Sequence, residues 1–210
     1  MVKTMMNNNI LGLPDFESMT VVLSGKRNFR EDLYPDYKAN RAAVPKPRHF
    51  SDVRAYLVRN YGAVVTDGHE ADDELGTMAM KLRKEKKPYI VASTDKDLKQ
   101  IPGEHYDFAK GESWSVSERD ALKFFYEQLL SGDATDNIPG IDGIGPKKAE
   151  AALAGCTTPR ECAEVAYSHY SKFLGKVPDE IIDRNATLLW IWRKQGDKHP
   201  FWKHLGREPI

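Results

Sequence analysis

Three short β-branched segments alternate with helical patterns over the first half of this chain, and that alternation constrains the fold more than any other feature. They are "TVVLS" (20–24), "GAVVTDG" (62–68) and "PYIVAST" (88–94), each ending in small or acidic residues. Such runs predict buried parallel strands whose C-terminal ends open onto a site. Between them, "HFSDVRAYLVRNYG" puts Phe50, Val53, Leu57 and Tyr61 on one stripe, with Ser51 as N-cap and Gly62 as stop. "EADDELGTMAMKLRKEKK" does the same through Leu75, Met78, Ala79 and Leu82. The pattern predicts a doubly wound α/β core with a parallel sheet. From about residue 117 onward it turns wholly helical, in four stretches (117–132, 145–155, 159–175 and 178–194) separated by Gly and Pro. Residues 1–116 and 117–210 are therefore expected to form an α/β core and a helical region.

Charge excludes little. Lys+Arg and Asp+Glu balance at 31 each, so a nucleic-acid surface has to arise from local segregation of charge. No apolar run is long enough to span a bilayer, and "MVKTMMNNNILGLPDFESM" lacks a signal-peptide core. A cytoplasmic protein without membrane contact is expected. Cys156 and Cys162 lack the spacing of a zinc site and are read as reduced, partly buried thiols.

The acids fall at informative places. Glu70, Asp72 and Asp73 follow the second strand, Asp95 and Asp97 follow the third, and Asp133 and Asp136 follow the first helix of the helical region. In an open α/β sheet the ends of neighbouring strands share a cleft. Carboxylates gathered there repel one another unless cations neutralise them, and oxygen-only ligation suits Mg²⁺ or Mn²⁺. Taken alone, "EADDE" is an ordinary helix start and "STDKD" an ordinary cap, and "GDATDN" an Asx-rich turn; their conjunction shifts the reading.

The stretch "IDGIGPKKAEAAL" has a helix-hairpin-helix-type pattern. Gly143 and Gly145 permit a tight turn whose amides approach a phosphate, and the next helix adds its N-terminal dipole. Lys147 and Lys148 add phosphate-directed charge without base readout. The run "KLRKEKK" (81–87) is read as a solvated helix end.

With "YPDYKANR" (34–41), "EADD" (70–73), "STDKDLKQ" (93–100) and "GDATDNIPGIDGIGPKKA" (132–149) in order, the chain resembles the flap endonuclease superfamily of 5′ nucleases. It is most similar to small phage 5′→3′ exonucleases and to the 5′-nuclease domains of bacterial DNA polymerase I. The resemblance implies a PIN-like parallel-sheet nuclease core and a short arch segment at about 34–48. It implies a DNA-binding hairpin at about 132–153, with a bound K⁺. It assigns Glu70, Asp72 and Asp73 to a first metal cluster, and Asp95, Asp97, Asp133 and Asp136 to a second. Lys38 matches a lysine that contacts the scissile phosphate, and Arg41 matches an arginine on the same element. The implied reaction is two-metal hydrolysis of DNA bearing a free 5′ end or 5′ flap, with cleavage of RNA–DNA hybrids left open. Tyr34 and Tyr37 are equally candidates for stacking on an unpaired base and for ordinary packing.

Two departures from the family pattern stand out. No strand of the "hhhDG" type precedes "TVVLS", and "LSGKRNFRE" (23–31) offers Ser24 and Gly25 where the family has an acid. Three explanations fit: a split nuclease whose N-terminal portion is separately encoded, a truncated or mis-started product, or a chain acting alone with the remaining ligands. A missing strand would expose edges beside Val21, Val22, Val64 and Ile90, which favours a complementing partner and, next, homo-oligomerisation. The rival function is a non-catalytic, structure-specific DNA-binding module.

Overall fold

The computed structural model describes residues 17–41, 43–174 and 179–208. The segment 1–16, Ala42 of the expected arch, and the 175–178 boundary between two expected helices lie outside the described residues. Strand β1 (Val22–Leu23) leads into α1 (Phe29–Leu33), a 3-10 turn (Ala39–Arg41), α2 (Phe50–Tyr61) and β2 (Val64–Val65). Then come α3 (Ala71–Lys84), β3 (Ile90–Ala92), a second 3-10 turn (Lys96–Gln100), β4 (Gly103–Asp107) and β5 (Glu112–Val116). All three expected strands are present and parallel, but short. β1 pairs with β2, Val22 facing Val64, and β3 pairs with β4, Ile90 facing Glu104. These are two sheets, and among the described residues no ladder joins them.

The β4–β5 hairpin was not expected, because "GEHYD" and "ESWSV" carry too few apolar residues to read as strands. Its inner face is built from a polar side chain instead. His105 is buried, its Nε2 lies 2.8 Å from the Ile101 carbonyl, and its ring stacks on Trp114 at 5.5 Å. Asp107 closes the turn by accepting from the amides of Ala109 and Lys110. In α2 the expected N-cap moves as well. His49 occupies that position, no side chain caps it, and Gly62 ends the helix in the left-handed conformation as expected. No residue of α2 is buried, so its predicted stripe is only half covered.

The helical region comprises α4 (Glu118–Ser131), α5 (Pro146–Leu153), α6 (Pro159–Leu174), α7 (Asp179–Leu189) and α8 (Phe201–His204). A short antiparallel pair, β6 (Gly132–Asp133) with β7 (Ile138–Pro139), pinches the "GDATDN" loop between α4 and α5. Gly132 and Gly140 pass so closely that a Cβ on Gly132 would meet the Gly140 nitrogen at 2.3 Å. The larger core gathers Phe125, Tyr126, Leu129, Leu153, Ala163, Tyr170, Ile182 and Trp202, and Tyr37 reaches into it from the arch segment. A smaller core of Ala79, Val91, Leu98, Ile101 and Ile191 packs α3 on β3.

Helix α7 was expected to run to Lys194 and stops at Leu189. Beyond it the chain finds hydrogen bonds that a helix cannot offer. Arg30 Nε and Nη2 donate to the carbonyls of Leu188 and Trp190, and Gln100 Nε2 donates to that of Leu189. In return the amides of Ile191 and Trp192 donate to Gln100 Oε1 and Asp73 Oδ1. Gly76 lets this segment lie against α3, since a Cβ there would meet the Trp192 carbonyl oxygen at 2.3 Å. Asp73 and Arg30 form the centre of this arrangement, 0% and 3% exposed, joined by two bonds of 2.5 and 2.9 Å.

Removing one charge of such a pair strands the other in the core. Asp73→Asn or Arg30→Leu is expected to cost about 3–5 kcal/mol in denaturant unfolding, whereas breaking an exposed pair such as Arg160–Glu164 should leave the unfolding midpoint unchanged.

Candidate metal and nucleic-acid site

The site is assembled by hydrogen bonds between segments distant in sequence. Glu70 is the N-cap of α3, and its amide donates to Asp73 Oδ2 at 3.1 Å. Ser24, standing where the resemblance led one to look for an acid, accepts from the Ala71 amide at 2.9 Å and so caps the same helix. Asp95 caps the second 3-10 turn by accepting from the Asp97 amide. Asp133 Oδ1 accepts from the Thr135 amide at 2.7 Å.

The 3-10 turn of the arch segment docks on the "GDATDN" loop. The Lys38 amide, in a residue with φ +57, donates to the Asp136 carbonyl at 2.9 Å. Asn40 donates to the Ala134 carbonyl, Arg41 to the Thr135 carbonyl and to Asp136 Oδ1 at 2.7 Å, and Asn137 to the Asp36 carbonyl. The expected base of the arch is thereby fixed to the second acid cluster.

Glu70, Asp72, Asp97, Asp133 and Asp136 line one cavity of about 30 Å³, together with Arg30, Tyr37, Gln128 and apolar residues of β7 and the α7 end. Space of that size holds a single water or ion. Cations bound to the chain already compensate most of these acids. Lys38 bonds Glu70 and lies 3.4 Å from Asp136, and Lys96 lies 2.8 Å from both Asp97 and Asp133. Gln128 donates to Asp97 Oδ1 at 2.7 Å. Burial pushes the Asp97 carboxyl up to about 6. Burial acts the same way on Asp133, but Lys96 and the amides of Thr135 and Asp136 outweigh it and hold that carboxyl below its usual range.

Asp72 differs from its neighbours. Among the described residues it takes no hydrogen bond or ion pair, and burial together with Asp95, Glu70 and Asp73 pushes it up to about 7. A carboxylate held among like charges without a partner asks for an added cation. The donor set is all oxygen, which fits hard divalent ions.

Not every acid singled out in the sequence faces the cavity. Asp73 is turned into the core by Arg30. Asp95 is exposed at the rim and is felt by Asp72 through charge alone. Tyr37 corrects the stacking option: its ring is 4% exposed, and its hydroxyl lies 2.8 Å from Glu70 and 3.0 Å from Asp136. Tyr34 packs on the larger core, with the Arg184 guanidinium over its ring. Arg30, Lys96 and Gln128 were not foreseen. The sequence signals were slight: a lysine inside "DKD", and a glutamine between Glu127 and Leu129 near the end of α4.

The hairpin forms as expected. Gly143 has φ +75, Gly145 is the N-cap of α5 and Pro146 opens it. Lys148 does not extend outward; its Nζ donates to the Gly143 carbonyl at 2.7 Å. Lys147 is exposed. The loop borders a broad depression of about 590 Å³ that Phe173 also lines.

Parallel strands with carboxylates at their C-terminal ends, followed by a helical region with a glycine hairpin, define the PIN-like nuclease fold class. Within it, the chain belongs to the 5′-3′ exonuclease family, whose N-terminal resolvase-like domain model matches residues 2–127. It is 37% identical over 142 residues to DNA polymerase I of Rhizobium leguminosarum, covering 60% of this chain and 14% of that one. It is 32% identical over 154 residues to flap endonuclease Xni of a Shewanella species, covering 64% of this chain and 56% of the relative. The matched part of this chain thus spans about half of the flap endonuclease and a small part of the polymerase. Its fold superposes on a zinc-bound T5 5′-exonuclease with TM-score 0.60 at 19% identity, over 90% of this chain and 78% of that one.

The raised Asp72 carboxyl has a definite consequence for stability. Below about pH 4 it is protonated in both folded and unfolded chains and contributes nothing. As pH rises toward about 7 the unfolded chain ionises first, so stability falls, and the loss is complete above that. In chelator, Asp72→Asn is therefore expected to raise Tm by about 3–10 °C near pH 8 and to leave it unchanged near pH 4.

Proposed function

We propose that this chain is a structure-specific 5′→3′ nuclease that hydrolyses phosphodiester bonds in DNA bearing a free 5′ end or 5′ flap. The observation that carries the reading is one cavity lined by five carboxylates from three separate motifs, with Asp72 unpaired among them. Glu70, Asp72, Asp97, Asp133 and Asp136, with Asp95 at the rim, would hold two divalent cations, Mg²⁺ or Mn²⁺, of which the cavity as it stands has room for one. When bound, such ions lower the pKa of water and stabilise charge on the phosphodiester.

The chain's own residues do the rest. Lys38 has a half-buried side chain, 27% exposed, in a turn fixed to the acid loop, so its charge stays beside the cavity where phosphate charge develops. Arg41 is 47% exposed at the same turn and is available to a phosphate approaching from solvent. Tyr37 and Asp73 are positioning residues, one spacing Glu70 from Asp136, the other anchoring the start of α3. At the hairpin, exposed loop amides and Lys147 would follow the duplex backbone without reading bases, and turn carbonyls would accept a K⁺. Residues 1–116 would form the cutting module and 117–210 the module gripping the duplex, in the cytoplasm. Among the described residues, no helix is long and apolar enough to cross a membrane.

A second reading, in which cutting needs a strand from a separately encoded fragment or a second copy, is favoured by one observation. Among the described residues the two sheets stay separate, and Val64, Val65 and Ile90 are 41%, 48% and 49% exposed. In that case the chain alone would bind DNA without cutting it.

The deciding experiment is cleavage of 5′-labelled flap DNA in Mg²⁺ or Mn²⁺, with Asp133→Asn as control. Metal-dependent cutting that disappears in Asp133→Asn is expected, with binding retained. Binding without cutting selects the second reading, and failure to bind removes both. Lys147→Ala should weaken binding alike on all sequences and lower the salt slope by about one.

A further inference from the structure

Lys96 is the cation of the second acid pair, and it is held unlike any other cation of the site. Its Nζ lies 2.8 Å from Asp97 Oδ1 and 2.8 Å from Asp133 Oδ2, while its side chain is 56% exposed. The two carboxylates beneath are 22% and 4% exposed, so the ammonium covers them from the solvent side. Arg30, by contrast, is 3% exposed and bonded through to Asp73 and two backbone carbonyls.

The carboxylates do not depend on the lysine for their placement. Gln128 holds Asp97 from α4, and the Thr135 amide holds Asp133. Both donors are neutral and stay when the lysine leaves. Its long flexible stem can swing into solvent at little cost. Among the described residues, no group of three or more Asp, Glu, His or Cys is already gathered closely enough to hold a metal ion.

We propose that Lys96 is a built-in counter-ion for the Asp97–Asp133 pair, which a divalent cation must displace, so that this lysine sets the metal affinity of the second cluster. The inference rests on the metal-dependent reading above. When the competent, lysine-free state is a minority, apparent affinity falls by its fraction, so occupancy of about 90% weakens metal binding about tenfold. Once displaced, the ammonium remains at the rim of the cavity, where incoming phosphate arrives.

The test measures Mn²⁺ binding by electron paramagnetic resonance to the full chain without DNA, for wild type, Lys96→Met and Lys96→Gln. Both variants are expected to bind Mn²⁺ about tenfold more tightly. Lys99→Met, whose lysine lies over Phe124 on the same turn, should match wild type. In the wild-type chain, saturating Mn²⁺ should increase acylation of Lys96 by an amine reagent, read by mass spectrometry, as the ammonium is released. Equal or weaker Mn²⁺ binding by the Lys96 variants, or Lys96 labelling that metal leaves unchanged or lowers, overturns the proposal while the metal-dependent reading stands. If neither wild type nor variants bind Mn²⁺, that reading falls and this one with it.

Discussion

The buried contact between Arg30 and Asp73 is the constraint on which the rest of the molecule depends. It joins α1 to α3 and, through the Leu188 and Trp190 carbonyls, joins both to the end of α7. A guanidinium is suited to this because its planar fork meets a carboxylate with two bonds and keeps others for carbonyls. An ionised pair in a core is costly unless all its polar atoms find partners, and here they do. The consequence is positional. With Asp73 fixed, Glu70 and Asp72, one turn or less away, are fixed at the cavity, and the helical region is tied to the sheet.

The remaining acids are managed by cations of different permanence. Arg30 is locked, Lys38 is half-buried in a docked turn, and Lys96 is exposed and replaceable. Asp72 has none. Repulsion is thus relieved in part by the chain's own cations, yet left large enough at Asp72 for added cations to be stabilising. A site fully neutralised by its own lysines would have little use for metal, and one with none would oppose folding.

The glycine hairpin and the acid cavity are mechanically joined through one short loop. The "GDATDN" loop carries two of the cavity carboxylates, receives the arch turn through Asn40 and Arg41, and runs through β7 into the glycine hairpin. In the proposed function, a backbone held at the hairpin would therefore be registered against Lys38 and the acids by a few residues of chain. Lys148 strengthens this loop by bonding the Gly143 carbonyl rather than by reaching outward.

The sequence by itself determined the alternation of strands and helices, the left-handed stop at Gly62, the glycine hairpin and the motifs that carry Glu70, Asp72, Asp97, Asp133 and Asp136. These are legible because periodicity, turn chemistry and acid placement at element ends are local properties. Ser51 as a cap gave way to a helix that already starts at Phe50 through local bonds, whereas Tyr37 as a stacking face and a helix through Trp190 to Lys194 were local readings that tertiary contacts overrode. Helix α7 ends because Arg30, Asp73 and Gln100, distant in sequence, supply its last backbone partners. The polar strands around His105 and Trp114 became visible only once they paired. That Asp73 faces the core while Asp72 faces the cavity was decided by tertiary structure alone, because adjacent residues of one helix point about 100° apart and only packing selects which meets the arginine.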